Sequence, residues 1–231
     1  MLKNNSRLIN NKKLLLLDFD GVVVPGPNTE DINGFIREAI WIVSEHYNIS
    51  MDEANKRFRE SMSMHKYSTI SQYFAMEHPQ IDIVGANTRV FDEYNKRKYN
   101  LNEIENGYIS LALSKIRENG LDISILTNNS EEVVNEVLLK LGLNNIITNV
   151  IGAEQLNFVL KPNINAYHKA LQILKHSADN TIFLDDSTTN VMAAMYIGIT
   201  GVYIGDEPDN DISIRIRIKS RQACNRNNLQ N

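Results

Sequence analysis

The sequence predicts an α/β fold, a parallel sheet with helices on both faces, interrupted by a helical insertion. Three observations predict it. Short apolar runs recur at 14–17, 121–126, 146–151, 181–184 and 201–204. From the second run onward they alternate with helical periodicity at 130–141, 163–175 and 188–196. Strands alternating with helices are the pattern of βαβ units, and right-handed crossovers place the helices on both faces. Between the first and second runs, residues 25–106 are too many for a loop and carry helical spacing of their own.

The first run is Leu14-Leu15-Leu16-Leu17, apolar throughout, as a strand buried on both faces must be. It ends in Asp18 and Asp20, one residue apart, and then Gly21. Side chains at i and i+2 leave a strand on the same face, so both acids point the same way. Ligands of open α/β sheets bind at the carboxyl ends of the strands. Two carboxylates so close require a cation or a shared proton, and magnesium is the simplest remedy.

The insertion opens at Pro25, Gly26 and Pro27, which mark one hinge; a second lies near 101–107. A helix over 33–47 is predicted by the spacing of Phe35, Ile36, Ala39, Ile40 and Val43. A second, over 50–62, starts with Ser50 as N-cap and Glu53 three residues on, a capping-box pattern. Helices are also predicted over 68–76 and 85–98. The helical spacing around Trp41 and the nearby aromatics favours core packing over the stacking of a base.

Each later strand end carries a useful group. Thr127 and Asn128 follow Leu126 directly before a helix, where a hydroxyl and backbone N–H groups form an anion site. Lys161 precedes Pro162, a residue suited to start the next helix. Phe183 and Leu184 lead into Asp185, Asp186, Ser187 and Asn190, again an apolar strand ending in paired acids. Beyond Glu207 the chain turns polar and basic. Ile212, Ile214, Ile216 and Ile218 alternate with polar residues, as in an edge strand, and residues after Ser220 read as a disordered tail.

Composition narrows the function. The chain has 231 residues, 42% of them hydrophobic, and a net charge of −4, which gives no reason to expect nucleic acid. The single cysteine, Cys224, excludes an internal disulfide framework and fits a reducing compartment. No apolar run approaches the length of a membrane span. Lys3, Arg7, Lys12 and Lys13 before the leucines resemble a signal peptide, but the run is short and Asp18 interrupts it. The expected location is cytoplasmic, with no membrane partner. A P-loop and a dinucleotide-binding glycine motif are both missing. His46, His65, His78, His168 and His176 show no metal-ligand spacing and read as structural or surface residues.

The order Asp-x-Asp, long insertion, Thr-Asn, Lys-Pro, Asp-Asp-Ser-x-x-Asn resembles the four sequence motifs of the haloacid dehalogenase (HAD) superfamily of phosphohydrolases, over roughly residues 14–205. The resemblance implies a Rossmann-like parallel sheet core at 1–24 and 107–210. It also implies an inserted α-helical cap domain of the C1 type at 25–106, with 211–231 as edge strand or tail. Within the superfamily, Leu126-Thr127-Asn128-Asn129, Lys161-Pro162 and the run Phe183 to Asn190 are most similar to the pyrimidine 5′-nucleotidase branch. His65-Lys66-Tyr67-Ser68-Thr69 loosely resembles a cap segment of that branch, with serine in place of glycine. The first motif departs from it, because Val22 stands where many members carry a hydroxyl.

The resemblance implies a Mg²⁺-dependent phosphomonoester hydrolase. Asp18 would be the nucleophile that becomes an aspartyl-phosphate, and Asp20 the general acid and then base. Magnesium would be held by Asp18, the backbone carbonyl of Asp20 and Asp186, with Asp185 and Asn190 orienting that shell. Gly21, Thr127, Asn128 and Lys161 would contact the phosphate, and Tyr67 and Ser68 the leaving group from the cap. The expected substrate is a small-molecule phosphomonoester, a nucleoside 5′-monophosphate first and a sugar or glycolate phosphate second, the latter for a phosphatase or a mutase. The protein would act as a monomer or homodimer. Dehalogenation is disfavoured because it has no use for Asp20. A non-catalytic phosphate-binding protein of the same fold is the rival reading, and it has no use for Asp18.

Overall fold

The computed structural model describes residues 11–26, 29–63, 70–81, 106–205 and 217–218. A sheet of order β3-β2-β1-β4-β5-β6 forms its centre. The strands are β1 (Leu14–Leu17), β2 (Asp122–Leu126), β3 (Asn149–Ile151), β4 (Thr181–Asp185), β5 (Thr200–Tyr203) and β6 (Arg217–Ile218). The first five run parallel, and β6 pairs antiparallel with β5 at the edge. That two-residue pairing is the described part of the predicted edge strand; the rest of 206–231 lies outside the described residues.

The central strand shows why four leucines are needed in a row. Leu15 and Leu17 enter one hydrophobic cluster with Ile123, Ile125, Val134 and Val137. Leu14 and Leu16 enter the other with Phe183, Tyr167 and Ala170. Alternate side chains thus feed the two faces, and helices cover both. The covering helices are α4 (Asn106–Glu118), α5 (Glu131–Lys140), α6 (Ile164–Leu174) and α7 (Thr188–Tyr196), the insertion supplying α1 to α3. Helix α6 starts one residue later than proline chemistry suggested. Asn163 is its N-cap, accepting from the Asn165 N–H at 3.0 Å, so Pro162 precedes the helix and does not begin it.

Within the insertion, α1 (Thr29–Tyr47), α2 (Met51–Ser63) and α3 (Ile70–Glu77) share a cluster built on Ala39, Ile40, Val43, Phe58, Tyr73 and Phe74. Ser50 caps α2 by accepting from the Glu53 N–H at 3.2 Å. The reciprocal half of the capping box does not form, because the Glu53 carboxylate turns to Arg57 at 2.8 Å. Trp41 is corrected too. It is 50% exposed, since its position on α1 faces away from the stripe of Ala39, Ile40 and Val43. The predicted helix over 85–98 lies outside the described residues.

Phe158 joins the two regions. Its ring packs against the insertion's cluster and against the cluster of Leu14 and Leu16. Asn157 and Phe158 both hold left-handed backbone, with φ of 53° and 57°, a conformation that asparagine tolerates and that costs a residue such as phenylalanine about 1–2 kcal/mol.

Candidate active site

Adjacent strand ends bring the motif residues together. The Asp18 N–H continues the ladder by donating to Leu184 O at 2.8 Å, which sets Asp18 beside Asp185. The Thr127 N–H donates to Ile151 O at 3.0 Å at the end of β2. Strand β1 stops at Leu17, earlier than the sequence suggested, so the pleat does not carry Asp20. Asp20 lies instead in the following turn, bridged to Val24. Gly21, at φ 79°, makes that turn and gives its N–H to Val24 O at 2.7 Å.

Lys161 is the centre of the arrangement. It is only 2% exposed, and its Nζ lies 2.8 Å from Asp18 Oδ1 and 2.8 Å from Asp185 Oδ2. The Asn128 side chain holds this residue by its backbone, accepting from the Lys161 N–H at 2.9 Å and donating to Lys161 O at 3.0 Å. The ammonium also stands 5.3 Å from the centroid of the Phe183 ring. Burial pushes the Lys161 pKa down, but the Asp18 and Asp185 carboxylates outweigh it, and the net direction is up.

The three acids divide by surroundings. Asp185 is fully buried and fully engaged. Its oxygens receive Lys161, the Ser187 N–H at 2.7 Å and both bonds of the Asn190 amide at 3.1 Å. Asp18 has both of its hydrogen bonds on Oδ1, from Lys161 and from the Phe19 N–H at 2.6 Å. Burial pushes its carboxyl up to about 8, the pull of Lys161 notwithstanding, with the Asp185 charge adding to the rise. Asp186 is exposed at the rim, and partial burial followed by the Asp185 charge raises it as well.

Asp18, Asp185 and Asp186 offer oxygens that all lie within 4.8 Å of one another. That is about twice a magnesium–oxygen distance of about 2.1 Å. Gly21 makes the approach possible. A Cβ there would fall 2.0 Å from Asp186 Oδ2, so only glycine leaves room for that carboxylate. Three acids against one ammonium leave surplus negative charge, and hard oxygen donors are what a magnesium ion takes. The residues fit such an ion.

Thr127 is buried, and its Oγ1 accepts from the Asn129 N–H at 3.1 Å. Asn129 itself carries no role in the motif reading, yet its side-chain amide donates to Asp20 Oδ2. Its only sequence signal was its place directly after Thr127-Asn128. Tyr167 is a second residue the motifs passed over. Fully buried against Phe183, it donates its hydroxyl to Asn190 O at 2.8 Å and so supports the residue that clamps Asp185. Tyr67 and Ser68 lie outside the described residues.

Residues 15–204 match the family model for haloacid dehalogenase-like hydrolases. The chain belongs to this family. Among curated proteins, this HAD-like hydrolase is 22% identical over 195 residues to the "Putative pyrophosphatase PpaX" of Caldanaerobacter subterraneus subsp. tengcongensis, across 82% of this chain and 80% of that protein. Among solved structures it is similar to a HAD phosphatase from Thermococcus onnurineus, with 22% identity, a TM-score of 0.56, and 87% of this chain and 90% of that chain covered. A dehalogenase structure follows at 16% identity and a TM-score of 0.52, covering 88% and 89%. The parallel sheet with flanking helices is the Rossmann-like α/β fold of these neighbours. No helix among the described residues is long and apolar enough to cross a membrane.

Proposed function

We propose that this HAD-like hydrolase is a Mg²⁺-dependent phosphomonoesterase working through an aspartyl-phosphate. The observation that carries the reading is the placement of Asp18. A binding protein gains nothing from a buried carboxylate at the mouth of a sheet, tied on one oxygen only. Here Lys161 and the Phe19 N–H hold Oδ1, and Oδ2 is the atom left to attack. Oδ2 forms a bond to phosphorus as the ester P–O bond breaks, and Asp20 gives its proton to the departing alkoxide. Water then attacks phosphorus and passes a proton to the Asp20 carboxylate. The bond to Asp18 breaks, and inorganic phosphate leaves.

Asp18 and Asp186, with the backbone carbonyl of Asp20, would hold the magnesium ion. Asp185, its oxygens already occupied, would orient that shell together with Asn190. The ion would supply neutralising charge for the phosphoryl group. Without one, two of these carboxylates repel by about 4 kcal/mol at roughly 4 Å and an effective dielectric near 20. Phosphoryl transfer is loose, so its equatorial oxygens need positioned donors. Thr127, the Asn128 N–H and Lys161 would supply them. The insertion at 25–106 acts as a cap on the core of 1–24 and 107–210, excluding water and contacting the leaving group through Tyr67 and Ser68.

The substrate reading is a nucleoside 5′-monophosphate, carried by the resemblance of the Thr-Asn, Lys-Pro and Asp-Asp-Ser-x-x-Asn segments to pyrimidine 5′-nucleotidases. Phosphate release with and without Mg²⁺ tests it on UMP, CMP, glycolate phosphate, sugar phosphates and p-nitrophenyl phosphate. The expected result is Mg²⁺-dependent turnover with UMP or CMP fastest. Zero turnover on every ester by folded protein overturns the phosphatase reading, and a preference for sugar or glycolate phosphate overturns the nucleotide reading alone.

A further inference from the structure

Asp20 receives a hydrogen bond from the end of the neighbouring strand β2. Val22, the residue two further on, is aliphatic and packs into the cluster of Leu15 and Leu17. It offers no donor. A donor comes from Asn129, 109 residues away, whose Nδ2 meets Asp20 Oδ2. Asn129 is itself fixed at both main-chain groups. Its N–H donates to Thr127 Oγ1 at 3.1 Å, and its carbonyl accepts from the Ala153 N–H at 2.9 Å. Gly152 closes the rear of this turn. A Cβ at that position would lie 2.5 Å from Glu131 N and 3.0 Å from Asn129 O, so a larger residue must push the turn away from the segment behind it.

We propose that Asn129 is a positioning residue for proton transfer by Asp20, and that Gly152 is its backstop. The inference rests on the phosphatase reading. In that reaction one carboxyl must serve twice. Protonated, it gives its proton to the leaving oxygen while Asp18 bonds to phosphorus; ionised, it takes a proton from the water that cleaves the aspartyl-phosphate. An amide N–H suits both states. Oδ2 accepts a hydrogen bond whether or not the group carries its proton, and an amide does not titrate. Holding Oδ2 fixes the plane of the carboxyl group through the whole cycle. Proton transfer depends on such alignment, because a group misplaced by about 1 Å can lose about 10²-fold.

Leaving-group dependence separates this role from a structural one. Asn129→Ala is compared with the unsubstituted protein on p-nitrophenyl phosphate and on the alkyl phosphate that protein hydrolyses fastest. Nitrophenolate departs with little help from an acid, whereas an alkoxide needs the proton. The expected loss in kcat/KM is about 30- to 100-fold on the alkyl ester and under about threefold on p-nitrophenyl phosphate. Rapid mixing of the variant with p-nitrophenyl phosphate should show a burst of nitrophenolate before a slow steady state, since hydrolysis of the aspartyl-phosphate still needs an aligned Asp20. Gly152→Ala should give the same pattern at smaller amplitude, and it carries the test if Asn129→Ala does not fold. Equal losses on both esters, or no burst, overturn the inference and leave the phosphatase reading standing. An unsubstituted protein that hydrolyses neither ester overturns both.

Discussion

Two buried polar clusters, one in the sheet and one in the insertion, are built on opposite terms. At the sheet, Asp18, Asp185 and Lys161 are ionisable and nearly sealed from water, with Asp186 at the rim, three carboxyl groups to one ammonium. In the insertion, His78 stands between two tyrosine hydroxyls, 2.7 Å from Tyr73 and 3.1 Å from Tyr47, inside a shell of aromatic rings. That cluster is closed: each ring nitrogen has a partner, and burial lowers the histidine pKa, which favours the neutral ring. A closed neutral cluster fixes packing. An open charged one stores a demand that a cation and a phosphoryl group can meet. A buried polar group is therefore informative through its balance rather than its mere presence.

The comparison breaks first at Asp18. Asp18→Asn should lower turnover by at least roughly 10⁴-fold while circular dichroism and the melting temperature show a folded chain. Full activity in that variant would remove the nucleophile. Chelation comes next. EDTA should silence turnover and Mg²⁺ restore it, and indifference to the chelator would contradict the reading of the acidic cluster.

Removing single partners sharpens the contrast in stability. Lys161→Met leaves the buried Asp18–Asp185 pair without its cation and should cost about 3–5 kcal/mol in denaturant unfolding without metal. Tyr73→Phe removes the hydrogen bond to His78 and should cost about 1 kcal/mol. Similar losses in the two variants would refute the distinction drawn between the clusters.

The two clusters should also answer pH with opposite signs. In the metal-free protein, folded Asp18 keeps its proton up to about pH 8, whereas an unfolded aspartate releases it near pH 4. Between those limits the folded state binds more protons, so this group's contribution falls as pH rises. The gain in melting temperature from Mg²⁺ should accordingly grow from pH 6 to pH 8. His78 works the other way. Its folded pKa lies below the ordinary 6.5, so the unfolded chain binds the extra proton and stability is lost as pH falls below about 6.5. That acid loss should shrink in His78→Gln. A Mg²⁺ effect that is flat with pH, or an acid loss unchanged in His78→Gln, would remove the corresponding assignment.

Much of this was legible before any coordinates. Strand type, order of elements and the convergence of Asp18, Thr127, Asp185 and Asp186 follow from apolar runs that end in polar groups, because parallel strands deliver their ends to one side, whereas Lys161 follows no strand and was placed by the family resemblance alone. What stayed hidden depends on side-chain aim. Trp41 sits in a helical pattern that does not reveal which flank meets the neighbours. Glu53 had two partners within reach and took Arg57. Asn129 and Tyr167 act through contacts made only after distant segments meet, and a single asparagine or tyrosine carries no periodic signal. Pro162 gave way to Asn163 because a side-chain oxygen that accepts a backbone N–H is the stronger start for a helix.

The half-buried ring of Phe158 packs against the core of the sheet and that of the insertion at once, three residues before Lys161. Neither interior can loosen without drawing on the other's contacts, so heat should find one cooperative transition rather than two. The backbone tension held at residue 158 is the cost of that shared fate, and a smaller side chain at position 158 would let the two halves melt apart.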